Sequence, residues 1–373
     1  MNIAAAVNEN LAEFSNLLIK SAMAVYALAF VAHIVEWAFG SRSKVARTAA
    51  ALTAKKTGGA GGAGGAGDAG GGVSVTVRTS GGTGVLEKPK VVTRSTAGRR
   101  AEVPDGPGAA GEDEQGDLYG RIAVSLTVLA FLLHSGAVLT RALSVQRAPW
   151  GNMYEFSTAF SMVAVGAYLG FLAARKNVRW IGLPLVTTVL LDLGLAIVVL
   201  YTESDQLVPA LDSYWLWIHV SLAIVCGALL YLGAVSTVLY LFRDRYEAKL
   251  EAGGKPGAFA ASVLERLPSS ASLDNFAYRI NAAVFPFWTF TIIAGAIWAE
   301  EAWGRYWGWD PKEVWSFITW VGYACYLHAR ATAGWKGRKA AYLALFAFAC
   351  FLFNYYGVNI LFDGKHSYAD VDL

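Results

Sequence analysis

Long apolar runs separated by short polar stretches dominate this 373-residue chain. Eight of them predict membrane-spanning helices, at roughly 17–39, 119–141, 153–174, 180–202, 214–242, 280–299, 314–330 and 340–361. A helix needs about 20 apolar residues to cross the hydrocarbon core, and the seventh run only just meets that length. Between the first and second runs the pattern changes. Residues 40–117 contain GGAGGAGGAGDAGGG and almost no large apolar side chains. Such a stretch buries too little surface to offset chain entropy, so a disordered loop is expected. No G-K-[ST] follows the glycines, which makes them a flexible tether and not a phosphate loop. The expected fold is an all-α polytopic membrane protein: an N-terminal helix within 1–39, the Gly-rich loop 40–117 and a membrane domain over 118–373.

Composition supports this class. Hydrophobic residues make up 55% of the chain and charged residues 16%, against roughly 25% charged in soluble domains. The net charge of +3 carries less information than where the basic residues fall. Arg175, Lys176, Arg179, Arg243, Arg245, Lys249, Lys255, Arg266, Arg279, Arg330, Lys336, Arg338 and Lys339 lie on one side of the predicted spans. Only Arg141, Arg147, Arg305, Lys312 and Lys365 lie on the other. The richer side is read as cytoplasmic, which puts both termini and the loop before the seventh span outside. The basic residues of the Gly-rich loop then face an anionic inner leaflet, with no need for a nucleic-acid partner. Glu9 and Glu13, with no basic n-region, mark the first run as a retained helix and not a cleaved signal. Cys226, Cys325 and Cys350 lie inside apolar runs without C-x-x-C spacing and are expected to be buried small apolar residues.

Trp303–Trp315 reads WGRYWGWDPKEVW and holds four of the thirteen tryptophans, one tyrosine and four charged residues. An interfacial belt needs only one or two aromatics per helix end. That accounts for Trp298 and Trp320 but not for this density. Trp303, Trp307, Trp309 and Trp315, with Arg305, Asp310, Lys312 and Glu313, suggest a surface that cradles a large flat ligand with charged edges. Haem fits that description. Asp310–Pro311 reads as a turn and as the N-cap of the seventh helix.

Five histidines lie at three depths. His219, near the outer end of the fifth span, and His366, just beyond the eighth, flank the tryptophan-rich loop in the topology. Two histidines on either side of an aromatic shelf suit bis-imidazole ligation of haem iron. His134 lies in the outer half of the second span; His33 and His328 lie near inner helix ends. A single histidine at a helix end is commonly structural, yet ionisable groups within spans are costly and point to function. No span carries two histidines, which argues against a quinol-oxidising cytochrome. H-E-x-x-H, G-x-S-x-G and P-loop motifs are also missing, so hydrolytic chemistry has no support.

WGRYWGWDPKEVWSFITW followed by CYLHAR resembles the WWD signature of the haem-handling proteins of cytochrome c maturation. In particular it is similar to the CcsA/ResC-type subunit of the system II haem lyase. PWGNMYEFS, DSYWLWIHV and GVNILFDGKHSY look like further family blocks in the expected order. The resemblance runs from about Leu118 to the C-terminus and does not cover residues 40–117 or the first helix. It implies that His219 and His366 ligate the iron of haem b beside the WWD loop, residues 298–315, whose Trp303, Trp307, Trp309, Asp310 and Trp315 form the porphyrin surface. Arg305 is the first candidate cation for the propionates, with Arg141, Arg147 and Lys312 behind it. His328 matches a membrane-embedded histidine that holds haem during transfer. Its partner ligand is expected from a CcsB/ResB-type subunit, with His33 as the in-chain alternative at a similar depth. The implied function is the haem-handling subunit of a cytochrome c synthase (haem lyase) in the bacterial cell membrane. It would deliver haem to the outer face and position it for thioether attachment to C-x-x-C-H apocytochromes. A haem carrier without lyase activity is the alternative.

Overall fold

The computed structural model describes residues 7–39, 118–206, 211 and 213–366, all within one compact unit. The Gly-rich segment 40–117 expected to be disordered lies outside the described residues. Helix is the only regular structure among the described residues. In chain order the elements are α1 (Glu9–Phe39), α2 (Leu118–Val145), α3 (Met153–Ala173), a 3-10 turn (Arg179–Ile181) leading into α4 (Gly182–Val198), α5 (Tyr214–Glu251), α6 (Ala258–Leu264), α7 (Ser270–Trp303), α8 (Pro311–Ala331) and α9 (Arg338–Leu352). α9 continues through a π turn (Phe353–Gly357) into the single turn α10 (Val358–Leu361).

Seven of these helical segments are long and apolar enough to cross a membrane. The predicted seventh span, α8, falls short on composition and not on length. Its 21 residues span about 31 Å at 1.5 Å per residue, but Lys312, Glu313, His328 and Arg330 lower its hydropathy. α8 packs against α7 and α9, so neighbouring helices supply the apolar surroundings that its own sequence lacks. α5 and α7 extend beyond the predicted spans, because hydropathy marks only the part of a helix that is apolar. Exposed Leu17, Leu28, Leu132, Leu139, Leu191, Phe287 and Phe346 form an apolar outer surface.

α1 and α2 form the most regular seam. Buried Ser15, Ile19, Ala22, Tyr26, Ala29, His33 and Glu36 follow alternating steps of four and three along α1. Ala123, Thr127, Ala130, His134, Ala137, Arg141 and Ser144 do the same along α2. A 3.5-residue period keeps one stripe facing its partner along the whole helix, and small residues in the stripe let the backbones approach closely. His33 and His134 are both members of this stripe. His134 Nδ1 lies 3.4 Å from the Tyr26 hydroxyl. His33 is fully buried, with Nδ1 3.1 Å from Glu36 and Nε2 3.3 Å from Thr127, while Glu36 also pairs with Arg179. Both ring nitrogens of His33 are thus engaged inside the α1–α2 seam. His328 instead lies on the exposed side of α8.

Polar contacts close the helix ends. The Asn152 side chain accepts the Glu155 N–H at 2.9 Å, and the Ser213 hydroxyl accepts the Trp215 N–H at 3.1 Å. α7 stops at Gly304, whose left-handed φ of +70° a side-chain-bearing residue adopts only with strain. Pro286 sits inside α7, which membrane helices tolerate when packing re-satisfies the freed carbonyl. The cysteine expectation holds for Cys226 and Cys350, which are buried, and fails for Cys325, which is exposed. Cys325 lies on the same outward face of α8 as Phe317, Val321 and His328, because steps of three and four residues return to one side of a helix.

Candidate functional site

His219 stands in the second turn of α5, and its ring lies flat along α7. Its Nδ1–H donates to the Thr291 carbonyl at 2.8 Å. Gly295, one turn further along α7, makes room for the ring: a Cβ there would come within 2.6 Å of the imidazole Cε1. A hydrogen bond to a carbonyl requires the proton on Nδ1, so the lone pair lies on Nε2.

His366 reaches the same place from the other end of the chain. After α10 the backbone folds over Asp310, whose carboxylate accepts the Lys365 N–H at 2.9 Å and the His366 Nδ1–H at 2.9 Å. Gly364 permits this approach, since a Cβ there would lie 2.7 Å from Asp310 Oδ1. Burial pushes the Asp310 carboxyl upward, but the hydrogen bonds from His366 and the Lys365 N–H outweigh it and hold the group below the usual carboxylate range. The carboxylate fixes His366 in the same tautomer as His219.

Trp298 joins the two histidines. It is 1% exposed and donates its indole N–H to the Leu211 carbonyl at 3.2 Å. Its ring is nearly parallel to His219, with centroids 6.1 Å apart, and edge-on to His366 at 5.9 Å. Trp303 meets His366 edge-on at 4.7 Å. The interfacial role expected for Trp298 is therefore replaced by a buried one between the two imidazoles.

The loop that leads into α8 is braced by Glu313. This carboxylate accepts the N–H groups of Gly308 at 2.8 Å and Asp310 at 3.0 Å, completing a capping box with Asp310 as the N-cap and Pro311 as the first helical residue. Trp309 adopts φ of +59°, a conformation rare for a bulky residue and held here by the bonds on either side. Arg305 lies 3.5 Å from Glu313, and its guanidinium folds back over Gly308.

These elements enclose a cavity of about 1240 Å³, counting its open mouth. His219, His366, Trp298, Trp307, Trp150, Trp288, Tyr355 and Lys312 are among its lining residues. The side chains of Trp150, Trp288, Asn354 and Asn359, all lining residues, each carry a buried polar atom without a hydrogen-bond partner among the described residues.

The structure thus gathers His219, His366 and Trp307 around one space, with Trp303 and Asp310 touching His366. It places Trp309 at the exposed surface, edge-on to Trp307 at 5.8 Å, and packs Trp315 against Phe353 at 4.3 Å. Arg305 does not line the cavity, whereas Lys312 does. Arg141 and Arg147 are tied to the fully buried Glu155, at 3.0 and 2.7 Å. His328 sits near the opposite end of α8. The residues missed in sequence were Trp298, Trp150, Trp288 and the asparagines after α9. One signal was available: Thr291, Gly295 and Trp298 fall on a single helical face of α7, at steps of four and three.

A helical membrane bundle that closes two tautomer-fixed histidines and a set of tryptophans around one cavity defines a multi-pass protein with a binding site at one end of its helices. The chain belongs to the cytochrome C assembly protein family, whose model matches residues 124–366. It is 38% identical over 246 residues to the cytochrome c biogenesis protein CcsA of Heterosigma akashiwo, covering 59% of this chain and 76% of that one. It is 36% identical over 295 residues to the CcsA of Synechocystis sp., covering 67% and 86%. Among solved structures it is similar in fold to cytochrome c heme lyase CcmF, with a TM-score of 0.50 and 17% identity. That match covers 95% of this chain and 47% of the lyase, so the chain spans about half the length of that protein.

Proposed function

We propose that the chain is the haem-handling subunit of a cytochrome c synthase and holds haem b, as substrate, between His219 and His366. One observation carries the reading: both imidazoles line one cavity, and each has its Nδ1–H bonded to a fixed protein acceptor, which orients the ring. Iron-ligating histidines are held in this way by carbonyls and carboxylates, which orient the ring and raise its donor strength. The half-buried indole of Trp307 offers a flat apolar face for the porphyrin. Membership of the cytochrome c assembly family and the names of its CcsA relatives support the same substrate.

The chemistry then lies in positioning. An apocytochrome C-x-x-C-H segment brings two thiols and a histidine to the cavity mouth. Each thiol adds across a haem vinyl group: a carbon–sulfur bond forms, the vinyl π bond breaks, and the thiol proton ends on the terminal vinyl carbon. The substrate histidine takes one axial position. No side chain here is a nucleophile, so the contribution is to hold the reacting atoms in contact. The exposed face of α8 that carries His328 is where a CcsB/ResB-type subunit would complete a second iron site, and the cavity end of the bundle is the extracytoplasmic one.

The test is co-expression of this chain with a ResB-type partner and an apocytochrome in a bacterium lacking its own maturation system. Covalent haem on the cytochrome is expected. Bound haem without thioether formation would replace this reading with that of a carrier. A sharper local test uses Gly295→Val. Its side chain displaces the His219 ring, so bound haem should fall by about ten- to a hundredfold, as for other losses of ligand support, while the chain still accumulates.

A further inference from the structure

Beside the histidines the cavity has one cation, and its surroundings are unusual. Lys312 Nζ donates to the Asn354 backbone carbonyl at 2.9 Å and lies 5.7 Å from the centre of the Tyr355 ring. Among the described residues no carboxylate pairs with it. Asp310, two residues earlier, is committed to His366 and the Lys365 N–H. An ammonium has three donors, and here one meets a carbonyl while the group lines a cavity whose wall is mostly apolar, with Glu313 also among the lining residues.

That carbonyl lies within the π turn Phe353–Gly357. The Val358 N–H bonds back to Phe353, five residues earlier, so the turn contains one residue more than an α-helix would. Two carbonyls of the turn accept side-chain donors. Asn359 Nδ2 supplies one to the Tyr355 carbonyl at 2.7 Å, and Lys312 supplies the other to Asn354. The wide turn is pinned from inside the bundle. Tyr356 donates to Asp192 at 2.6 Å, Ser161 donates to the same carboxylate at 2.5 Å, and the Tyr355 hydroxyl meets Ser157 at 2.9 Å. Asp192 is an ionisable group within a membrane span, a placement that is costly unless used.

We propose that Lys312 is the carboxylate-receiving group of the cavity, that it binds a haem propionate, and that Asp192 is a positioning residue that holds it there through the π turn. This rests on the haem reading above and replaces Arg305 as the propionate partner. No bond of the haem is made or broken. The ammonium exchanges cavity water for a ligand carboxylate while keeping the Asn354 carbonyl.

The full-length chain purified in detergent is titrated with haem and with haem dimethyl ester, which lacks the propionate charges. The wild type should prefer haem by about ten- to a hundredfold, the span of a charge-assisted hydrogen bond. Lys312→Gln keeps a donor for the Asn354 carbonyl, so the turn stays intact, but it should bind both ligands equally. Lys312→Arg should keep the preference, and Asp192→Asn should lower it while leaving the bis-histidine spectrum in place. This ratio does not respond to a simple loss of folded protein. A full preference for haem in Lys312→Gln overturns the proposal. Failure of the wild type to bind either ligand overturns the haem reading itself, a separate outcome.

Discussion

Replacing His219 or His366 by glycine is expected to remove the haem spectrum of the purified protein and stop cytochrome c formation, with added imidazole restoring part of both. On the proposed reading each glycine deletes an iron ligand, and it leaves a hole of imidazole size. The hole at His219 lies between Trp298 and Gly295, and the one at His366 lies against Trp303 and Asp310. Imidazole can enter either hole and use the acceptor left behind, the Thr291 carbonyl in one case and the Asp310 carboxylate in the other. Asp310→Asn should weaken haem binding by about ten- to a hundredfold without abolishing it, since the ligand stays but loses its charged acceptor. Normal cytochrome c maturation in both glycine variants would refute the ligand assignment. Unchanged haem affinity in Asp310→Asn would instead reduce Asp310 to a loop anchor.

Glu155→Gln is expected to destabilise the folded bundle by about 3–5 kcal/mol, the cost of leaving buried charges uncompensated. Glu155 is fully buried and accepts Arg141 Nε at 3.0 Å, Arg147 Nη1 at 2.7 Å and the Gly151 N–H at 2.8 Å. The two guanidiniums in turn bond the carbonyls of Thr202 and Asp205, so one carboxylate joins α2 and α3 to the chain after α4. A neutral amide leaves two arginines facing each other in a dry setting. Thermal unfolding in detergent measures the loss. The Asp244–Arg338 pair, with Arg338 44% exposed, is the control: Asp244→Asn should leave the midpoint almost unchanged, because water screens that pair. A Glu155 variant as stable as the control would show that the arginines find other partners.

Much of the architecture was legible along the chain. The apolar runs located the helices, and the failure of α8 to qualify by composition was visible in its charges. The α1–α2 seam was also there to be read, since alternating steps of four and three place Ala22, Ala29, Ala123, Ala130 and Ala137 on facing stripes. That stripe contains His33 and His134, so their structural role followed from a period that hydropathy alone does not report. The tryptophan density of the WWD loop marked a binding surface, but its residues divide in three dimensions. Trp307 lines the cavity and Trp303 supports His366, while Trp309 and Trp315 face elsewhere.

Apolar length, periodicity and turn residues act over a few residues of chain, so the helices and the Asp310 cap of α8 could be read before any contact was known. Only the tertiary structure decided which groups meet. The hydrogen bond between His219 and Thr291 crosses two helices, and that between Asp310 and His366 joins a loop to a tail 56 residues away. Whether Arg305 or Lys312 faces the cavity depends on a carboxylate at Glu313 and a carbonyl within a π turn. Such choices are made by packing, where a bond forms only if two distant segments arrive at one place with their donors and acceptors aligned.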